Sequence, residues 1–368
     1  MPAAPIPPLP APVHELDFTR LASLVRAASG EHADLDYAPM PGGASTRRYF
    51  RVRMPRGESA VAMFVPEGAK PEEVQKPPGS SPAPRLWPFL EVRDLLAERG
   101  VDVPRVLGED TAHGWLLLED LGDDTLANFL LANPGAKPSL YARAVSDLAR
   151  AQQSLATLPP ESIVSTRAFD EDLLSWEIHH FREWGLEARG VSLGSSDREA
   201  FDSIADRLAR RIASWPRGFT HRDYQSRNLM VRAPASTTDP ATLVWIDFQD
   251  ALLGPKVYDL VALLNDSYQK FDRTFVETRL AEYAREAQLD AHASEELVRQ
   301  FDLVTVQRKL KDAGRFVFID RVKKNASFLP FVLPTIRKVK SSLDRLSAQD
   351  ADMAQLAEIL RRVLPDDD

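Results

Sequence analysis

The chain contains no cysteine. That excludes a disulfide scaffold, a thiolate nucleophile and any Cys-ligated zinc or iron–sulfur site, and it fits a reducing compartment, so a cytoplasmic location is expected. Long apolar runs are missing too. A bilayer-spanning helix needs about 20 apolar residues, and the longest runs here are as short as Leu260 to Leu264, so no membrane partner is expected. Positive charge is not in excess: 46 Lys and Arg stand against 54 Asp and Glu, a net charge of −8. That is the wrong sign for displacing counterions from nucleic acid. The phosphate-loop pattern G-x-x-x-x-G-K-[ST] does not occur, which excludes a P-loop nucleotidase. The N-terminus lacks the basic and leucine-rich regions of a signal peptide. Residues 1–14 instead carry six of the 28 prolines and read as a Pro-rich disordered tail.

What remains is 368 residues, 44% of them hydrophobic, enough for two domains at about 150 residues each. A helix is expected from Glu15 to Ala28, with Leu16, Leu21, Leu24 and Val25 as its apolar stripe. The run PGGASTRRYFRVRM, the linker Pro55 to Glu58 and the run Ser59 to Val65 read as a β-hairpin. A second proline-rich stretch, Pro71 to Pro88, is read as a loop. The helix Phe89 to Arg99 closes at Gly100, and strands follow at Val103–Leu107 and Trp115–Glu119. From Ser139 the pattern is helical, over about 139–157, 170–188, 196–214, 256–268, 273–287, 294–313 and 350–362. One island interrupts it, with short strands at Leu229–Val231 and Leu243–Ile246. The expected class is α+β in two lobes, a small β-rich N-lobe over 15–121 and a larger helical C-lobe over 122–368.

The chemistry concentrates in His221-Arg222-Asp223-Tyr224-Gln225-Ser226-Arg227-Asn228. An Asp followed five positions later by Asn, just before a short strand, has the spacing of a phosphotransfer loop. There the Asp accepts a hydroxyl proton and the Asn carbonyl oxygen binds a metal. Nineteen residues after Asn228 comes Asp247, at the end of an apolar strand. Mg²⁺ takes few protein ligands, all hard oxygens, and completes its shell with phosphates and water. Asn228 and Asp247 supply that set. Either Asp223 or Asn228 alone would read as an Asx turn; their joint spacing with Asp247 favours phosphotransfer. The Gly-rich turn Pro41 to Arg48 is the candidate phosphate cover, through Gly43, Ser45, Thr46, Arg47 and Arg48, although a bare Gly-Gly turn is often only a turn.

These motifs resemble the aminoglycoside phosphotransferase and choline kinase superfamily, which has a protein-kinase-like fold, over about Gly42 to Asp320. ASTRRYFRV (44–52), HRDYQSRNLMV (221–231), IDFQDALLGPKVYDLVALLNDSY (246–268) and VQRKLKDAGRF (306–316) sharpen the likeness. Within the superfamily they resemble the bacterial anomeric sugar kinases, which phosphorylate N-acetylmuramate and N-acetylglucosamine at C1 in cell-wall recycling. The resemblance implies ATP and Mg²⁺ as cofactors, an amino sugar as substrate, and no obligatory protein partner. It makes Asp223 the general base, Asn228 and Asp247 the metal ligands, and Glu119 to Leu121 the hinge whose backbone meets adenine. The pair Tyr258 and Asp259 would buttress the loop. His221 is read as a packed anchor rather than a proton shuttle.

One departure stands out. Kinases of this fold carry a lysine on the third strand, paired with phosphates and a helix glutamate. Here that strand reads Ala60 to Val65 with no lysine before Lys70. The role is vacant or borrowed by Arg47 or Arg48, and Glu91 or Glu98 lacks its usual partner.

Substrate contacts are sought beside the base, at Arg222 and Tyr224, and on a basic segment. From Val304 to Lys324 seven Lys or Arg face two Asp. Arg308, Lys311 and Arg315 share the flank of one helix, either as a solvated face or as readers of a lactyl carboxylate. Trp176 and Trp184 are read chiefly as core, with stacking on a sugar face as the alternative. An anomeric amino-sugar kinase is the expected function. Kinases of other small hydroxyl substrates, such as aminoglycosides or choline, and a nucleotide-binding pseudokinase are the alternatives.

Overall fold

A computed structural model of the chain describes residues 16–31, 34–41, 46–66, 87–232 and 241–364. The expected tail, Gly43, Ser45, Lys70, most of the second proline-rich stretch and residues 233–240 lie outside them. The chain divides into two units, one of residues 1–75 and 104–120, the other of residues 76–103 and 121–368.

In the first unit, helix α1 (Phe18–Ser29) begins where the Asp17 carboxylate accepts the Thr19 N–H at 2.9 Å. It ends at Gly30, whose φ of +71° suits a residue without a Cβ. Leu21, Leu24 and Val25 form its buried stripe. That stripe joins one core with Phe50, Phe64 and Trp115 of a five-stranded antiparallel sheet. The strands are β1 (Asp36–Pro39), β2 (Arg48–Arg53), β3 (Ser59–Phe64), β4 (Val106–Asp110) and β5 (Trp115–Glu119), in the order β1-β2-β3-β5-β4. The expected hairpin is the β2–β3 pair, with Arg48 opposite Phe64 and Arg53 opposite Ser59. Alternation drives Ala60, Ala62 and Phe64 into the core.

The second unit holds α2 (Pro88–Glu98), α3 (Leu126–Ala132), α4 (Lys137–Ser154), α5 (Glu171–His180) and α6 (Ser195–Ala213). Four short strands follow: β6 (Arg217–Thr220), β7 (Leu229–Arg232), β8 (Thr242–Trp245) and β9 (Leu252–Pro255). Then come α7 (Val257–Leu264), α8 (Arg273–Glu286), α9 (Ala291–Lys323), α10 (Val332–Leu346) and α11 (Ala351–Val363). Helix α2 belongs here because Phe89 packs on Phe248 at 5.1 Å and Glu91 accepts the Ile163 N–H. Glu91 is therefore committed to a backbone donor, a partner that no spacing rule names.

Helices α3 and α10 stand where none is expected, and two of the expected helices take a different form. The segment expected over 170–188 leaves α-geometry at Phe181 and continues as a π-helical turn, Phe181–Leu186. The segment expected over 294–313 is a 33-residue helix, α9. Its residues 301–310 are buried all round, because α5, α7, α8 and α10 pack about it. Its basic stretch is thus not a solvated face at Arg308 or Lys309, each with 1% of its side chain exposed.

Candidate active site

Strand β6 pairs with β9, and β7 pairs with β8. The loop 221–228 carries the chain from the first ribbon to the second, and 246–251 carries it back. Two crossings between the same ribbons must run side by side, and the Ile246 N–H donates to the Asn228 carbonyl at 3.0 Å. Residues nineteen apart in sequence are brought together in this way. Both loops contain a non-glycine residue in the left-handed region, Arg222 at φ +78° and Asp247 at +63°. Each costs on the order of 1–3 kcal/mol and persists only where its surroundings hold it.

Buried carboxylates hold the first loop at both ends. Asp259 accepts the N–H groups of His221 at 2.7 Å and Arg222 at 2.9 Å. Asp266, whose part no local spacing reveals, accepts the Ser226 N–H at 2.9 Å and its hydroxyl as well. His221 is fully buried. Its Nδ1 accepts the Asp223 N–H at 3.3 Å, which leaves Nε2–H to donate to the Ile246 carbonyl at 3.1 Å. Burial pushes its pKa down to about 4, against the opposing field of Asp223. The ring is neutral at pH 7 and ties the two loops together.

Asp223 keeps 37% of its side chain exposed, so a reactant can reach it. Burial of the remainder would raise its pKa, but Arg308, Lys311 and Arg222 outweigh that and hold it at about 2. Arg308 donates from Nη2 to Asp223 Oδ1 at 3.0 Å and from Nη1 to the Arg222 carbonyl at 2.6 Å. Asn228 Nδ2 donates to the Asp223 carbonyl at 2.9 Å and lies 3.4 Å from Asp247 Oδ2. Gln249, which sequence reasoning missed, donates from Nε2 to Asp247 Oδ1 at 2.9 Å. The amide nitrogen of Asn228 thus faces both Asp223 and Asp247, which leaves its carbonyl oxygen as the atom able to bind a metal. Two hard oxygens on adjacent loops fit Mg²⁺. Among the described residues, no group of three or more His, Cys, Asp or Glu is arranged to hold a metal; Mg²⁺ on few protein oxygens completes its shell with phosphate and water.

The other expected contacts are placed as follows. Tyr224 is a correction: it is 0% exposed, its hydroxyl donates to the Ala144 carbonyl at 2.9 Å, and its ring meets Trp245 at 4.6 Å. An aromatic ring closed in on every side packs the loop's underside and cannot touch a substrate. Arg308 is a second correction, since its guanidinium is buried against the Asp223 loop and over the Tyr258 ring at 4.7 Å. Arg222 lies 3.8 Å from the buried Glu177, and Gln307 donates to that same carboxylate at 2.8 Å. Lys311 meets Asp312 at 3.3 Å, and Arg315 lies over Phe318 at 4.8 Å.

In the first unit, Thr46 is exposed, Arg47 half-buried and Arg48 exposed at the start of β2. Glu119 ends β5, with its carboxylate 3.3 Å from Arg105 Nε, and Leu121 is half-buried just beyond. Next to Glu119, Asp120 is gripped by Arg51 of β2 through Nε at 2.7 Å and Nη2 at 3.2 Å.

An N-acetylmuramate/N-acetylglucosamine kinase of Pseudomonas aeruginosa is 33% identical over 337 residues, covering 90% of this chain and 89% of that protein. The enzyme of that name from Neisseria meningitidis is 32% identical over 346 residues, covering 91% and 92%. The GDP complex of wild-type aminoglycoside 2′-phosphotransferase-IIIa shares the fold, with a TM-score of 0.56 at 13% identity over 89% of this chain and 98% of that one. Residues 36–297 match the family model described as the phosphotransferase enzyme family. With that match over most of its length, and a small antiparallel sheet ahead of a larger helical unit, the chain belongs to that family of kinases.

Proposed function

We propose that the protein is an ATP- and Mg²⁺-dependent kinase of the anomeric C1 hydroxyl of N-acetylmuramate, N-acetylglucosamine or both, serving the recycling of cell-wall sugars. The observation that carries this is identity of about one third, over nine-tenths of both chains, to a kinase named for those two sugars. Asp223 accepts a hydrogen bond from the C1 hydroxyl and aims its oxygen at the γ-phosphorus. As the new O–P bond forms and the bond to ADP breaks, the hydroxyl proton passes to the Asp223 carboxylate. A carboxylate held at about 2 is a weak base, so its main contribution is orientation, and proton transfer comes late. An anomeric hydroxyl, more acidic than an ordinary alcohol, suits such a base.

Asn228 and Asp247 would hold Mg²⁺, which when bound supplies positive charge to the phosphate oxygens. Gln249 fixes the orientation of Asp247. Thr46, Arg47 and Arg48, together with Gly43 and Ser45 outside the described residues, would meet the phosphates, and the backbone at Glu119 and Leu121 the adenine. Aminoglycoside and choline-like acceptors are cationic and call for unpaired carboxylates. Here Asp223 and Glu177 already face arginines and Asp312 faces lysines, which favours a neutral or acidic sugar. The test is ADP release coupled to loss of the sugar's reducing end, since only a phosphate at C1 abolishes that reactivity. ADP formation with the reducing end intact would move the phosphate to another hydroxyl.

A further inference from the structure

The mechanism leaves a cluster of rings on α5, its π-helical turn and α9 without a role. Trp176 stacks on His180 with centroids 5.2 Å apart and planes 28° apart. Phe318 lies 5.5 Å from the imidazole and meets Trp184 edge-on at 5.0 Å. Trp176 keeps 36% of its surface exposed, whereas His180 keeps 5%. Core packing accounts poorly for a large ring left so open. It also does not explain the buried Nε2 of His180, which has no hydrogen-bond partner among the described residues, a costly state for a polar atom.

The backbone here is specially built. Helix α5 widens into its π-turn at Phe181, a feature frequent at functional sites. Gly314 lets α9 press against it: a Cβ there would sit 2.8 Å from Phe181 Cα and 2.9 Å from the His180 carbonyl oxygen. On α9, residues 308, 311, 315 and 318 are spaced three, four and three apart and so share one face. At 1.5 Å per residue, Lys311 stands about 4.5 Å and Arg315 about 10 Å along the axis from Arg308, the residue that grips Asp223. That succession of base, cation, cation and rings suits a substituted pyranose. Burial first, and then the charges of Arg315 and Lys311, push His180 down to about 4, so a neutral imidazole sits within reach of both cations.

We propose that Trp176, His180, Trp184 and Phe318, flanked by Lys311 and Arg315, form the sugar-reading subsite of this kinase. The rings of Trp176, Trp184 and Phe318 receive the C–H face of the pyranose, the buried His180 backs Trp176 from beneath, and Arg315 meets a carboxylate on the sugar. This rests on the proposed function and assigns to Arg315 the reading that burial denies to Arg308.

The test compares steady-state kinetics with N-acetylmuramate and N-acetylglucosamine for the wild type, Arg315→Ala, Arg315→Lys, Trp176→Ala and Trp176→Phe, each checked by thermal melting. Arg315→Ala should lower kcat/KM for the acidic sugar roughly tenfold to a hundredfold more than for the neutral one, the worth of a hydrogen bond to a charged group. Arg315→Lys should restore part of the difference. Trp176→Ala should raise KM for both sugars, with Trp176→Phe between it and the wild type. Folded Arg315 and Trp176 variants that leave every KM and the ratio of the two sugars unchanged would overturn the subsite while the sugar-kinase reading stands. A wild type that phosphorylates neither sugar would end both.

Discussion

Arg308 Nη2 lies 3.0 Å from Asp223 Oδ1, joining residues 85 apart in the chain. The guanidinium is buried and the carboxylate is partly open, so the arginine works on the candidate base from behind. Its hydrogen bond to the Arg222 carbonyl also supports a residue in left-handed geometry.

Replacing that arginine should therefore affect turnover more than sugar affinity. In Arg308→Lys the charge survives and the two-pronged grip is lost; we expect kcat to fall about tenfold, the scale of 1–2 kcal/mol for one charge-assisted bond. KM for either sugar should stay close to wild type. Arg308→Gln should lose more kcat and melt lower, because a part-buried carboxylate then lacks its cation. A change in the ratio between acidic and neutral sugars would instead make Arg308 a substrate reader.

Asp223→Asn keeps shape and removes the proton acceptor. Turnover should fall by about 10²–10⁴ with nucleotide affinity unchanged by calorimetry. A variant within about threefold of wild type would remove Asp223 from the reaction.

Asp247 has a φ of +63°, so Asp247→Gly deletes the carboxylate without adding backbone strain. The Mg²⁺ concentration for half-maximal rate should rise at least tenfold while the melting temperature stays within a few degrees. Asp247→Ala should show the same metal defect and a lower melting temperature, the difference reporting the strain. An unchanged Mg²⁺ dependence in both would place the metal elsewhere.

Acid should unfold the protein through its buried imidazoles. His180 and His221 are both lowered from about 6.5 to about 4, so the folded state binds fewer protons than the unfolded chain between those values. Their contribution is complete above pH 6.5 and is lost as pH falls toward 4, on the order of 3 kcal/mol for each ring. Urea unfolding at pH 7, 6, 5 and 4.5 measures the slope, and His221→Gln, which keeps an N–H donor for the Ile246 carbonyl, should reduce it. Burial raises Asp259 to about 7, which acts with the opposite sign over the same range, so the histidine part is read from the difference between wild type and His221→Gln; an unchanged slope in that variant would mean that the ring stays open to protons.

Local signals were legible in the sequence and long-range partners were not. The β2–β3 hairpin and β5 follow from alternation and turn residues, and Asn228 lies beside Asp247 because both flank short apolar strands. Helix α10 escaped although Ile336, Val339, Leu343 and Leu346 repeat at helical spacing, because Pro330 and Pro334 obscure its start. Strands β6 and β9 are four residues each and recognisable only as a pair. Tyr224 was misplaced because adjacency to Asp223 in sequence says nothing about which way a loop side chain turns. For Arg308, charge suggested a surface, whereas the carboxylate that makes burial tolerable lies 85 positions upstream. Asp266, Gln249 and Glu91 escaped for the same reason: their roles are set by backbone N–H groups and amides that no local spacing reveals.

The distance along the chain between Asp223 and Arg308 also sets an order of events during synthesis. At about 5–20 residues per second, a ribosome that has just made Asp223 needs several more seconds to reach Arg308, and longer before α9 clears the exit tunnel. Until then Asp223, Arg222 and Glu177 lack the helix that neutralises and seals them, so the nascent loop cannot settle into its working geometry. Competence arrives late and all at once, with the helix that carries both the brace for the base and the cations beside the rings. A nascent chain released before that point would hold Asp223, Asn228 and Asp247 without the helix that braces the first of them.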